Sequence, residues 1–211
     1  MDDLVRFGSR TWALCFLLLL VSRGLDFLST WVATPNLVLE GNPIAKKLGW
    51  RGGIPFNLAF CFALAFWPVS AIAVSTTSVL VAARNFQSAW LMRSMGEEIY
   101  RDWHVARIEE TRITLYLFCL AGNTVLTAAV GVAVICFSGP LLVPFAIGLG
   151  IIAYAVAVVF YTLLAVWRLR RAADRAARLS SARARSAAQA VSRKPEFHVV
   201  YAGDPAEPGV K

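Results

Sequence analysis

Apolar residues are concentrated in four long stretches of the chain, and polar residues fill the segments between them. A run of about 20 predominantly apolar residues matches the roughly 30 Å hydrocarbon core of a bilayer when it forms an α-helix. The pattern predicts membrane-spanning helices at residues 11–33, 54–83, 113–138 and 141–167. The predicted fold is therefore an all-α polytopic membrane protein, with a bundle of four transmembrane helices in residues 1–167.

Turn-forming residues dominate the connector at residues 34–53, between the first two predicted spans. Asn42 before Pro43 is typical of a helix N-cap followed by proline in the first turn. The pair predicts the start of a short helix, which Gly49 is expected to end. Pro68 lies inside the second predicted span, where a proline predicts a kink.

Residues 84–112 form a polar segment with an amphipathic pattern. Arg93 with Glu97, and Glu97 with Arg101, are opposite charges four positions apart, and apolar residues recur on another stripe. We predict a helix that lies on the cytoplasmic membrane surface or extends from the flanking spans. Because the acidic residues and His104 lack metal-ligand spacing, we expect a solvated, ion-paired face and no bound metal.

The positive charge of the chain lies mainly at its C-terminal end. The net charge is +8, and residues 168–211 contain ten Lys or Arg against four acidic residues. From their composition we predict that residues 168–193 form a basic, Ala- and Arg-rich helical extension and that residues 194–211 are a disordered tail. Such an extension is typical of binding to anionic lipid headgroups, here through Arg168, Arg170, Arg171, Arg175 and Arg178. No fold motif accompanies the charge, which speaks against nucleic acid as a partner.

The distribution of Lys and Arg among short loops predicts the orientation of the chain in the membrane. The segment 84–112 contains five arginines, and four crossings put it on the same side as Arg6, Arg10 and the basic tail. Both termini are therefore predicted to be cytoplasmic, and the connector is predicted to face outward. The expected location is a bacterial inner membrane.

Two charged residues, Arg23 and Asp26, lie near the middle of the first predicted span. On a helix they share one stripe with Ser22, Ser29 and Thr30, while leucines and Trp31 occupy the opposite side. A charge inside the hydrocarbon region must be neutralised, paired or hydrated. Arg23 and Asp26 can form a local ion pair, or they can reach partners on neighbouring helices and hold the bundle together.

A functional interpretation of the same residues is a polar site inside the membrane that binds a cation, a proton or a small polar ligand. Asp26 is about 10 Å below the end of its helix, so a connector that folds back can bring Glu40 and Asn42 towards it. The residues predicted to bind the ligand are Arg23, Asp26, Thr30, Glu40, Asn42 and Asn123.

The sequence D-F-L-S-T at residues 26–30, followed by E-G-N-P at residues 40–43, resembles a family of small bacterial and archaeal membrane proteins of unknown function. In that family the first helix carries an Asp followed by Thr, and an E-x-N-P element comes shortly afterwards. The resemblance implies a helical membrane domain and carries no activity. It rests on Asp26, Thr30, Glu40, Asn42 and Pro43, whereas Arg23 and the basic tail are not part of the pattern.

Two other functions compete with the ligand site. The protein can be a structural or interaction module that binds anionic lipid or a partner through its cytoplasmic loop and tail. It can also be an intramembrane enzyme acting on lipid, but no nucleophile motif, phosphate loop or cofactor motif accompanies the charged residues. Because four short spans make a solitary transport path awkward, transport would require a homo-oligomer or a membrane partner.

Overall fold

The computed structural model describes residues 4–40 and 42–192, and every regular element in that part of the chain is an α-helix. The helices are α1 (Arg10–Ala33), α2 (Pro43–Leu64), α3 (Pro68–Met95), α4 (Glu97–Glu110), α5 (Ile113–Cys136) and α6 (Leu142–Ser192). Helices α1, α3, α5 and the α6 segment Leu142–Arg168 are long and apolar enough to cross a membrane. The predicted all-α fold with four spans is confirmed.

The chain divides into two compact units, residues 1–167 and residues 168–211. The first unit contains α1 to α5 and α6 as far as Trp167. In the second unit, residues 168–192 belong to α6, and the side chains of Arg168 and Arg171 are exposed. The predicted disordered tail at residues 194–211 lies outside the described residues, as do the side chains of Arg170, Arg175 and Arg178.

The second predicted span, residues 54–83, is interrupted after Leu64, so its predicted bounds are wrong. Residues 54–64 belong to α2, and the spanning helix is α3. Proline disfavours the helical conformation in the residue before it, and Trp67 is extended, with φ −121° and ψ 100°. Pro68 therefore starts a helix, where its missing N–H is harmless, and does not kink one.

Helix α2 runs back along α1, antiparallel to it. At one end of α1, the Trp50 ring meets Phe27, and at the other end the Phe62 ring meets Trp12. Beyond α2, the backbone N–H of Val5 donates to the carbonyl of Phe66. Because α2 makes the return, α1 and α3 run parallel.

Helices α1 and α3 pack closely through small residues that recur at alternating steps of four and three. The α1 set is Cys15, Leu19, Ser22, Asp26, Ser29 and Ala33, and the α3 set is Ala71, Ser75, Ser78, Ala82, Asn85 and Ala89. A hydrogen bond between Ser29 and Asn85 joins residues 56 positions apart, and the numbers of the two sets differ by 56 throughout. Such spacing is typical of two helices crossing at a small angle, and small side chains let the backbones approach.

The parallel course of α1 and α3 brings the connector and the 84–112 segment to the same end of the bundle. Residues 84–95 continue α3, and α4 follows after Gly96, which has a positive φ of 82°. Glu97 at the start of α4 accepts hydrogen bonds from Thr34 and Asn36 of the connector. The prediction that these two segments lie on opposite sides of the membrane is therefore wrong, because it joined residues of α2 and α3 into one span, whereas α2 runs back along α1 before α3 begins.

Glycines permit close contacts of α6 with α3 and α5. A Cβ added at Gly150 would lie 2.5 Å from the carbonyl oxygen of Ala73, and one added at Gly148 would lie 2.7 Å from that of Gly131. Thr77 Oγ1 also donates to the Gly150 carbonyl over 2.9 Å. These contacts join the first turns of α3 and α6 to the last turns of α5, so α6 runs parallel to α3 and antiparallel to α5.

Candidate functional site

Arg23 is the centre of a polar cluster that joins three helices. Its Nη1 donates to Asp26 Oδ2 over 2.6 Å and to Ser78 Oγ of α3 over 3.2 Å. Its Nε donates to Asn57 Oδ1 of α2 over 2.9 Å, and Nη2 donates to the same oxygen. The sequence analysis offered a local ion pair and partners on neighbouring helices as alternatives. The structure shows both, since Arg23 pairs with Asp26 and also reaches α2 and α3.

The Arg23–Asp26 pair lies inside the hydrophobic thickness of the bundle. Arg23 is ten residues before the end of α1, which corresponds to about 15 Å at 1.5 Å per residue. The side chains of Arg23 and Asp26 keep 25% and 16% of their exposure, so neither is fully hydrated. Pairing removes the need to bury two separate charges, and the polar contacts of Arg23 stabilise the pair further.

Asn57 was not among the predicted site residues, although it provides the strongest contact between α2 and the cluster. Its Nδ2 donates to the Gly53 carbonyl over 2.9 Å, which orients Oδ1 towards Arg23. The available signal was a single amide within the apolar run 54–66. Asn57 was overlooked because a second span at residues 54–83 did not predict a contact between Asn57 and Arg23.

A second polar cluster continues along the α1–α3 interface towards the connector. Asn85 Nδ2 lies 3.2 Å from Ser29 Oγ and 3.3 Å from Thr30 Oγ1. Ser29 Oγ in turn donates to the Asp26 carbonyl over 2.8 Å. Thr30 thus lies on the same seam as Asp26, but its side chain contacts Asn85 and not the carboxylate.

The remaining predicted site residues, Glu40, Asn42 and Asn123, lie in two different parts of the structure. Glu40 lies in the connector and takes no part in the hydrogen bonds of Arg23 among the described residues. Its Oε1 accepts from the Asn42 N–H over 2.7 Å, and Asn42 Oδ1 accepts from the Ile44 N–H, so Asn42 caps α2. Asn123 is exposed on α5 and takes no part in the hydrogen bonds around Arg23.

A groove between α1 and α2 opens beside Arg23, with a volume of about 320 Å³. Its polar lining consists of Arg23 and Asn57, and the remainder is apolar or small: Leu20, Gly24, Phe27, Leu28, Trp31, Trp50, Ile54, Leu58 and Cys61. Four of the five N–H groups of Arg23 are used in the cluster, because Nε and Nη2 bind Asn57 and Nη1 binds two partners. The groove therefore combines an apolar wall with a fixed guanidinium.

Glu97 forms a clamp with the connector that the sequence analysis missed. Its Oε2 accepts from Thr34 Oγ1 over 2.5 Å and from the Val38 N–H over 3.1 Å, and Oε1 accepts from the N–H and Nδ2 of Asn36 over 3.0 Å. Leu37, between the two donating amides, has a positive φ of 56°, as in the backbone nests that bind anions. Partial burial opposes ionisation, but these hydrogen bonds prevail and lower the pKa of Glu97.

Among residues 4–40 and 42–192, no group of three or more His, Cys, Asp or Glu side chains is placed to hold a metal ion. Comparison with family models, curated proteins and solved structures finds no match for the chain. The functional interpretation consequently rests on the geometry of the groove and its polar cluster.

Proposed function

We propose that the protein binds an amphipathic, lipid-like molecule in the groove between α1 and α2. The observation that carries this proposal is the position of Arg23, which lines an otherwise apolar groove while three helices hold its guanidinium in place. An apolar groove with a few fixed polar groups is the usual form of a small-molecule site. In a bilayer, such a groove is accessible to molecules that enter from the lipid phase.

The electrostatics of the cluster favour a particular polar group on the ligand. The guanidinium of Arg23 already neutralises Asp26, so a cation would have to displace it at 2.6 Å. The same carboxylate repels an anion, whereas a neutral oxygen such as an ester carbonyl can accept a hydrogen bond from Arg23. We therefore expect an apolar chain that carries a hydrogen-bond-accepting oxygen.

Trp31 and Trp50 line the groove, so tryptophan fluorescence can report on its occupancy. We expect a brominated medium-chain fatty ester to quench the fluorescence of the protein in nanodiscs in a saturable manner. The bromoalkane without the ester should bind at least about tenfold more weakly, because one hydrogen bond to a charged donor contributes about 1.5–3 kcal/mol. Equal saturable binding of the two probes would refute a polar role for Arg23.

Gly24 provides a way to block the groove without touching the polar cluster. It lines the groove, and a Cβ added there meets no atom within 4 Å. Gly24→Leu should abolish saturable quenching, and Ala83→Leu, which introduces the same side chain at an exposed site on α3, should leave it unchanged. Retained quenching in Gly24→Leu would show that the ester binds elsewhere.

The charge distribution supports a second role, contact with anionic lipid at one end of the bundle. Eight basic residues lie at the connector end: Lys46, Lys47, Arg51, Arg84, Arg93, Arg101, Arg107 and Arg112. The opposite end carries Arg6 and Arg10. By the positive-inside rule, the connector end is cytoplasmic and the N-terminus lies outside, which replaces the expectation of two cytoplasmic termini.

Reporter fusions and lipid analysis test this role separately from the groove. A periplasmic reporter fused to the N-terminus should be active, and a cytoplasmic reporter inserted after Thr111 should be active. Purified full-length protein should also retain more anionic lipid than a chain lacking residues 168–211. Reversed reporter activities would refute the orientation, and equal retention of anionic lipid would refute the role of the basic extension.

A further inference from the structure

Asn123 is a polar residue near the middle of a membrane span, and its side chain is exposed. It is ten residues after the start of α5, which corresponds to about 15 Å along the helix. Within residues 4–40 and 42–192, the side-chain amide of Asn123 makes no hydrogen bond, and the contact at this position is from Thr127 Oγ1 to its backbone carbonyl. The amide thus faces the hydrocarbon with its donors and acceptor unsatisfied.

An unsatisfied amide in hydrocarbon is unfavourable, because no water is available to replace its hydrogen bonds. The hydroxyl groups of α5 avoid this problem within their own helix: Thr124 Oγ1, for example, donates to the Leu120 carbonyl over 2.7 Å. The exposed side chain of Asn123 makes no such bond among the described residues. A polar group from another molecule would satisfy it.

The surface around Asn123 is suited to a second helix. Leu115, Cys119, Leu126 and Val130 are all exposed and fall with Asn123 within an arc of about 80° at 100° per residue. A Cβ added at the adjacent Gly122 meets no atom within 4 Å, so the backbone can be approached closely there. Only 6% of the apolar window of α5 is buried, against 22% for each of the other three spans, which leaves this face open.

We propose that this face of α5 is a homodimer interface centred on Asn123. A primary amide carries both donors and an acceptor, so two copies related by a two-fold axis can satisfy each other. A lipid chain offers neither group, and the rest of the face is apolar, so self-association satisfies the amide without burying an unmatched charge. The axis lies along the membrane normal, and the two α5 helices run parallel to each other.

A native cysteine tests the interface directly. Cys119 is free and exposed, and it precedes Asn123 by one helical turn on the same face. In membranes containing the full-length chain, a membrane-permeant oxidant should give a disulfide-linked product with the mass of two copies, and Cys119→Ser should abolish it. Absence of that product in the parent chain, or a product with the mass of another protein, would overturn the proposal.

A matched control separates a specific interface from random collision. Val125 is also exposed, at 65%, but it points about 120° away from Cys119 around the helix. Val125→Cys in the Cys119→Ser background should give no dimer above the level of random collision. Equal cross-linking from both positions would indicate non-specific contact and would overturn the interface.

The contribution of the amide can be measured by energy transfer between labelled copies in proteoliposomes of increasing lipid content. Asn123→Leu should weaken association by roughly 3- to 30-fold, the range for hydrogen bonds between membrane helices, and Asn123→Gln should restore most of it. A parallel thermal unfolding curve shows whether the monomer fold is retained. Unchanged association of a folded Asn123→Leu variant would refute the role of Asn123.

Discussion

The Glu97 clamp gives the sharpest prediction about the stability of the connector. In Glu97→Ala, the donors Thr34 Oγ1 and Val38 N–H lose a carboxylate acceptor that they contact while partly buried. The two contacts from Asn36 are exposed, so water can replace them at little cost. The expected effect is therefore calculated from the two partly buried hydrogen bonds alone.

Hydrogen bonds to charged groups contribute about 1.5–3 kcal/mol each, and incomplete burial puts these two at the lower end. We expect Glu97→Ala to destabilise the closed connector by about 2–3 kcal/mol. At 1.36 kcal/mol per factor of ten, this raises the open fraction by roughly 30- to 150-fold. Leu37 adds to the effect, because its positive φ is unfavourable and only a formed clamp sustains it.

Limited trypsin digestion measures the open fraction when the connector opens and closes faster than it is cleaved. Lys46 and Lys47 are exposed in the first turns of α2, eight and nine residues after Val38, so cleavage there should accelerate in Glu97→Ala. Glu98→Ala is the matched control, because Glu98 is the neighbouring carboxylate and pairs with exposed Arg101. Its cleavage rate should stay within about twofold of the parent, as surface ion pairs contribute little.

The clamp should also depend on pH, with a defined sign. Because the pKa of Glu97 is lowered in the closed state, the clamp contributes fully above the ordinary glutamate pKa and is lost as the pH falls through the lowered value. Cleavage by an acid-active protease should therefore rise with falling pH in the parent and stay flat in Glu97→Ala. Equal cleavage of Glu97→Ala and Glu98→Ala at neutral pH would refute the clamp.

Three further predictions concern packing and pairing inside the bundle, each measured by thermal unfolding in detergent. Gly150→Ala should destabilise by about 1–3 kcal/mol because its Cβ meets α3 backbone, whereas Gly24→Ala, whose Cβ meets no atom within 4 Å, should be neutral; equal shifts would contradict the close contact. Arg23→Met should cost about 1–3 kcal/mol, and adding Asp26→Leu should recover most of it; additive losses would refute an energetic pairing of Arg23 and Asp26. Asn85→Leu should cost about 1 kcal/mol through its lost bonds to α1, and an unchanged midpoint would refute them.

The sequence was sufficient for the helices whose signal is local. The apolar length of α1, α5 and the membrane part of α6 predicts spans that the structure bears out. Asn42 and Pro43 start α2 as expected, and Gly49 interrupts it with a positive φ of 60°. The exposed Leu17 and buried Ser22 also follow the predicted division of the first helix into two sides. In each case the determining signal lies within one continuous segment of the chain.

The relative directions of the helices could not be predicted in the same way, because they depend on which segment runs back along α1. Apolar composition does not distinguish one long span from two helices separated at Trp67, and that single ambiguity reverses the direction of α3. Once α3 runs parallel to α1, Asn57 faces Arg23 and Glu97 meets the connector. Both contacts join residues more than thirty positions apart, so no local pattern announces them.

The parallel packing of α1 and α3 also explains why the charged pair lies where it does. Extending the offset of 56 positions between Ser29 and Asn85 assigns Ala82 to the level of Asp26, and an alanine side chain cannot bond to a carboxylate. The carboxylate is therefore neutralised from its own helix, by Arg23 one turn earlier. The other N–H groups of Arg23 donate to Ser78 on α3 and to Asn57 on α2. The hydrogen bonds to Asp26, Ser78 and Asn57 thus hold the guanidinium of Arg23 beside the groove, where the proposed ligand would bind.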